Sequence, residues 1–205
     1  MPEIGVLALQ GDFFAHTMAL RSVGVDSREV RRCGELGGLD GLVIPGGEST
    51  TLLNLMHDEP WFEGLRSFHR RGGALFGTCA GAILLSRRVL SPSQPSLGLL
   101  DAEIERNAYG RQQESFERSL DLADLGGSIH TVFIRAPRFT SLGPEVRVLG
   151  RLGDEPVLVR QGRVLAATFH PELTGDGRLH RYFKEMAEGD RPEARPESRV
   201  VTMST

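Results

Sequence analysis

Cysteine occurs only twice in the 205 residues, at Cys33 and Cys79. The second sits in "GTCAG", with Gly77 and Gly81 two residues to either side, where the apolar run "GALFG" gives way to "AGAILLSR". This is the spacing of a nucleophile elbow. The reactive side chain stands at a strained strand-to-helix corner, and the flanking glycines let neighbouring elements approach closely. A small buried hydrophobe, which is what most free cysteines are, is the alternative reading, but it leaves the glycines unexplained.

A cysteine nucleophile needs a base, and six histidines are available: His16, His57, His69, His130, His170 and His180. His170 stands out because "LAATFHPEL" places it after an apolar run, Val164 to Phe169, that reads as a buried strand. Open α/β sheets keep their sites at such carboxyl ends. Glu172 follows two residues later. In an extended segment alternate residues share a face, and Pro171 disfavours helix at the residue before it, so the carboxylate is placed to hold the imidazole in one tautomer. Cysteine, histidine and carboxylate then make the nucleophile, base and orienting group of acyl transfer. A histidine ending a strand beside a solvated glutamate is the plainer alternative.

The third stretch is "LVIPGGEST", Leu42 to Thr50. Its glycines free backbone N–H groups to face a developing oxyanion, and Ser49 or Thr50 is the predicted cap of the helix that follows. A tight strand-to-helix turn without chemistry is the alternative. The Walker lysine is missing, so the stretch is not a phosphate loop.

These residues need a sheet to bring them together, and the amino-terminal half supplies its pattern. Short runs apolar on both faces ("IGVLALQ", "GLVIPGG", "GALFG") alternate with amphipathic stretches ("FFAHTMALRSVG", "STTLLNLMH", "PWFEGLRSFHRRG"). The alternation predicts a parallel sheet covered by helices on each side. The later half ("AEIERNAYG", "IHTVFIRAP", "EVRVLGRL", "EPVLVRQG") lacks helix-length spacers, which predicts antiparallel or mixed strands. A last helix is expected over about Gly177 to Glu188. One domain is expected over residues 1–188, with 189–205 a polar, flexible tail.

Composition narrows the function. Hydrophobic residues make up 40% of the chain and charged ones 25%, enough for one substantial core. A net charge of -3 and a pI near 6.1 argue against nucleic-acid binding, which needs a basic surplus. No apolar segment approaches the roughly 20 residues that span a bilayer, and "MPEIGVLALQGD" lacks signal-peptide features, so a cytoplasmic protein is expected. Two cysteines suit neither a disulfide framework nor a multi-cysteine metal site. Cys33, in the polar "RRCGELGG", is assigned no role, and His57 and His130 read as structural or exposed.

"PGGEST", "GTCAG" and "FHPEL", in this order, resemble the class I (triad) glutamine amidotransferases, whose fold is a flavodoxin-like three-layer α/β arrangement. Within that class the chain is most similar to the glutaminase subunits of ribose 5-phosphate-dependent pyridoxal 5′-phosphate synthases. The likeness runs from "IGVLALQGD" through "LGLLDAEIERNAYGRQQESFE" and "VFIRAPRF" to "FHPELTGDGRLHRYF". Many class I members carry Gln shortly after the nucleophile; this chain has Ile83 there, as the pyridoxal-type glutaminases do.

The resemblance implies that Cys79 is the nucleophile, His170 the base and Glu172 its orienting partner. It implies an oxyanion hole from the N–H groups of Gly47 and Ala80. It also implies contacts to L-glutamine from Gly47, Glu48, Ser49, Arg106, Ile134 and Arg135. A guanidinium can clamp a carboxylate bidentately, which suits an amino-acid substrate. Ammonia would pass to a partner synthase, a (β/α)₈ barrel whose dodecamer carries up to twelve glutaminase subunits. Pyridoxal 5′-phosphate is then that partner's product, and no cofactor or metal is expected here. Docking is expected at "LQGDFFAH", with Gln10 and Gly11 responding to the partner, and Phe13 or Phe14 as an interface anchor if either is exposed. Two rivals remain: a class I glutaminase serving another synthase, and a non-catalytic flavodoxin-like regulator, which would need no histidine and carboxylate together.

Overall fold

The computed structural model describes residues 1–106, 108, 115–122 and 125–189. Apolar runs become strands β1 (Ile4–Leu7), β3 (Gly41–Ile44), β4 (Ala74–Thr78) and β12 (Val164–Ala167), with β2 (Arg28–Val30) at the edge. These five are parallel neighbours in the order β12-β4-β3-β1-β2. Beyond β12 the sheet continues antiparallel through β11 (Glu155–Gln161) to β10 (Arg147–Leu152). The predicted change of character in the second half is therefore present.

Both faces of the sheet are covered, which is why its central strands are buried at every position. Leu42, Ile44, Leu75, Val164 and Ala166 point into one core with helices α2 (Ser49–Leu55), α3 (Trp61–Arg70) and α4 (Ala80–Leu85). Val43, Phe76, Leu165 and Ala167, one residue out of step, point into the other core with α1 (Phe13–Ser22) and α5 (Arg178–Glu188). The last helix thus lies where the sequence placed it, with Gly177 as its cap. Two further sheets flank the main one. Strands β5 (Ser86–Leu90), β6 (Leu100–Glu105) and β9 (Arg138–Leu142) form the first, and the hairpin of β7 (Ser115–Leu122) and β8 (Gly127–Ile134) forms the second.

No helix among the described residues is long and apolar enough to cross a membrane. The predicted tail lies outside the described residues except for Gly189.

The glycines around Cys79 answer to packing. A Cβ on Gly81 would run into the carbonyl oxygen of Ile44, and one on Gly77 into the backbone of Gly81. Helix α4 therefore lies directly on strands β3 and β4. Gly81→Ala is expected to cost about 1–3 kcal/mol, the usual range for overpacking. The check is a urea titration, in which the midpoint falls while the slope is kept; a wild-type midpoint would contradict this contact.

Candidate active site

Four loops leave the carboxyl ends of adjacent parallel strands β1, β3, β4 and β12, and each carries a predicted site residue. Cys79 follows β4 directly. Its backbone has φ 48° and ψ -102°, a conformation that costs a non-glycine residue about 1–3 kcal/mol. Its N–H donates to the Ala167 carbonyl at 2.9 Å, and its own carbonyl accepts from Ile83 at 3.1 Å to start α4. The thiol, 5% exposed, lies 3.8 Å from the Ile134 carbonyl oxygen. Ala80 is the first residue of the helix, so its N–H has no intrahelical acceptor.

His170 is held from two directions. Its backbone N–H donates to the Val132 carbonyl of β8 at 2.8 Å, and its Nδ1 lies 2.8 Å from Glu172 Oε1. That contact leaves Nε2 for the thiol. Glu172 does not reach it as an alternate residue of an extended segment, as expected from the sequence. Pro171 to Leu173 form a single 3₁₀ turn instead. The fixed φ of proline suits the first position of a helical turn as well as it suits extended chain, and here the turn wins. Burial alone would lower the imidazole's pKa, but hydrogen bonds to the Cys79 and Glu172 side chains, and their charges, raise it to about 10.

The "PGGEST" loop closes the site. The Glu48 N–H donates to Gln10 Oε1 at 3.2 Å. Gly47 has φ +136°, and a Cβ there would strike the Gln10 amide. The Gly11 turn, in the same way, has no room for a Cβ because it lies on the Gly46 carbonyl. The turn after β1 thus bears on the loop after β3. The helix cap is Glu48, not Ser49 or Thr50 as expected: its carboxylate accepts from Thr50 N at 3.0 Å and Thr51 N at 2.7 Å. A glutamate one position earlier is long enough to reach both orphan donors. Partial burial works against ionisation there, yet these hydrogen bonds hold the Glu48 carboxyl at about 2.

Gly47, Glu48, Ser49, Cys79, Arg106, Ile134, Arg135 and His170 line one cavity of about 470 Å³. Residues from five separate stretches of sequence therefore meet in one cavity. Ile83 and Ser115, not foreseen as lining, join them. The Arg106 side chain is 13% exposed and donates to Glu48 Oε1 at 3.1 Å and Thr50 Oγ1 at 3.2 Å. Arg135 adopts φ 43°, a second strained backbone at the rim. Asn107 and residues 109–112 of "ERNAYGRQ" lie outside the described residues. Of the two phenylalanines near the expected docking turn, Phe14 is 64% exposed while Phe13 packs inward beneath Arg31. Cys33 opens a 3₁₀ turn and packs against α3 at Gly64, away from the cavity.

Comparison with known proteins matches this arrangement to one family. Residues 6–189 match the SNO glutamine amidotransferase family. The chain belongs to that family. The "pyridoxal 5′-phosphate synthase subunit PdxT" of Thermus thermophilus is 58% identical over 186 residues, covering 90% of this chain and 97% of the relative. The protein of that name from Deinococcus radiodurans is 53% identical over 189 residues, covering 90% and 96%. A crystal structure described as a glutamine amidotransferase superimposes with a TM-score of 0.85 at 56% identity, covering 90% of this chain and 98% of that one. The structure of PurLQS from Thermotoga maritima, with a TM-score of 0.69 at 16% identity, shares the fold. As a glutamine amidotransferase of the SNO family, the chain carries its cysteine, histidine and glutamate at the elbow, the strand end and the turn described above.

The buried histidines give opposite titrations. His170, with its pKa raised, contributes stability that is fully present below pH 6.5 and is lost as pH rises through about 10. His180 has its pKa lowered to about 4 by burial; it adds nothing above pH 6.5 and penalises the fold as pH falls from there towards 4. Histidine side-chain NMR should find His170 protonated at pH 7 and His180 neutral. A midpoint near 6.5 for either would contradict its environment.

Proposed function

We propose that this chain hydrolyses L-glutamine to L-glutamate and ammonia through a thioester on Cys79. His170 Nε2 already holds the proton of the thiol at pH 7, and the sulfur attacks the side-chain amide carbon of glutamine. The carbonyl oxygen, now an oxyanion, is received by the N–H groups of Gly47 and Ala80. His170 returns the proton to the leaving nitrogen, the C–N bond breaks and ammonia departs. A water molecule, deprotonated by the same imidazole, then attacks the γ-glutamyl thioester, releasing glutamate and restoring the thiol. Glu172 holds the imidazole throughout. Glu48, Ser49, Arg106, Ile134 and Arg135 border the amino-acid end of the substrate. The observation that carries this reading is the pairing of His170 Nδ1 with Glu172 Oε1 at 2.8 Å beside the strained Cys79.

The ammonia, on this reading, passes to a partner synthase subunit that makes pyridoxal 5′-phosphate on a (β/α)₈ barrel. The names of the relatives support this extension. Residues 1–188 act as one glutaminase unit, which needs no cofactor of its own. Docking near Gln10, Gly11 and the exposed Phe14 is relayed to the oxyanion hole, because Gln10 already holds the Glu48 N–H and presses on Gly47. Turning the peptide between Gly46 and Gly47 adds or removes one donor, a change that typically alters rate about 100-fold to 1000-fold.

The test is ammonia release from glutamine by the subunit alone and with the synthase. Cys79→Ala and His170→Ala are expected to abolish it, Glu172→Gln to lower it less, and Cys33→Ala to leave it unchanged. Gln10→Ala should remove most of the stimulation by the synthase. Near wild-type release from Cys79→Ala would overturn the chemistry. An isolated subunit as fast as the mixture would overturn the relay alone.

A further inference from the structure

Helix α1 turns His16 inward, where it is fully buried. Its Nε2 stands 3.3 Å from Glu172 Oε2 and 3.2 Å from Thr78 Oγ1, while its Nδ1 lies 3.0 Å from Nε2 of His180, on α5. Glu172 gives its other oxygen to His170. The carboxylate is thus placed between two imidazoles: Oε2 is buried, receives no aligned hydrogen bond from any described residue, and has His16 Nε2 within ion-pair distance.

The carboxylate that faces Nε2 fixes where the His16 proton sits. Burial, with the charges of His180 and His170 adding to it, keeps His16 neutral, so the ring has one N–H. With that proton on Nδ1, the Nε2 lone pair would face a carboxylate oxygen. His180 would then have to carry its own proton on Nδ1, a buried atom without a partner. With the proton on Nε2, His16 donates towards Glu172 and accepts from His180 Nε2–H. Only a weakly costly acceptor, His180 Nδ1, is then left unpaired. The second arrangement leaves neither ring N–H without an acceptor and sets no lone pair against the carboxylate. Besides these three ionisable groups, His16 meets the Thr78 hydroxyl and the ring of Phe76.

We propose that His16 is a positioning residue for glutamine hydrolysis: its Nε2–H, fixed by His180 behind it, holds the second oxygen of Glu172 so that the carboxylate keeps His170 aimed at Cys79. This rests on the reaction proposed above. It assigns a function to a helix whose other face carries the exposed Phe14 and Met18.

The experiment compares wild type, His16→Leu and His16→Gln, each with and without Glu172→Gln, in complex with the synthase. Steady-state kinetics are read beside the proton resonance of His170 Nδ1–H. His16→Leu is expected to lower kcat by about 10-fold to 100-fold, the scale seen when a group orienting a functional histidine is removed, with little change in KM. The His170 resonance should shift. His16→Gln, whose amide nitrogen can stand in for Nε2, should recover most of the rate. In the Glu172→Gln background His16→Leu should cost almost nothing more, because its effect passes through the carboxylate. A folded His16→Leu with wild-type kcat and an unmoved resonance overturns the proposal, as does a loss that simply adds to that of Glu172→Gln. If His16→Leu does not fold, His180→Phe takes its place. It removes the donor to His16 Nδ1, and an unchanged kcat and resonance there overturn the proposal. Should wild type fail to hydrolyse glutamine, the proposed reaction falls, while the His170 resonance still decides whether His16 orients the pair.

Discussion

Parallel hydrogen bonding between β3, β4 and β12 is the constraint on which the site depends. The register sets Ala167 opposite Thr78 and Ile44 opposite Gly77, so three chains leave the sheet at nearly one level. Within three residues of these strand ends, Cys79, the Gly46–Gly47 loop and His170 come together at one cavity. The close seat of α4 on Ile44, possible only without a Cβ at Gly81, then fixes the height of the cysteine above the sheet. A slip of one residue in any of these pairings would move one member of the group to the opposite face.

Burial supplies the second constraint. Glu172 is 1% exposed at its side chain, and an isolated carboxylate in that position would be costly. It is accommodated because His170 takes one oxygen and His16 approaches the other, while His180 completes the chain behind them. The same enclosure that raises the pKa of His170 through its partners lowers those of His16 and His180, which have no comparable anion within hydrogen-bonded reach on both nitrogens. One buried network therefore contains a protonated imidazole and two neutral ones.

Much of this could be read from sequence, and for identifiable reasons. Strands such as "GLVI" and "VLAA" announce themselves because both of their faces are covered, and the elbow because its glycines have no other use. The link between His170 and Glu172 was legible from their proximity, although its geometry was not: proline permits two local structures, and tertiary packing chose the turn. The Glu48 cap was misassigned to shorter side chains because reach depends on where the loop ends. Arg106, Ile134 and Arg135 were recognisable only by resemblance, since nothing local marks a surface arginine as facing a cavity built from loops distant in sequence. His16 and His180 were invisible as a pair, being 164 residues apart. The one available signal was a histidine spaced between Phe13 and Leu20 on the apolar side of a helix.

The central claim is that Cys79 forms a covalent γ-glutamyl intermediate. Its most direct test is to mix the subunit with glutamine and the synthase, quench in acid during turnover, and weigh the proteolytic peptides. The account predicts a mass gain of one glutamyl group on the peptide containing Cys79 and none on that containing Cys33. Turnover of glutamine with an unmodified Cys79 peptide, or an adduct carried on another residue, would contradict it.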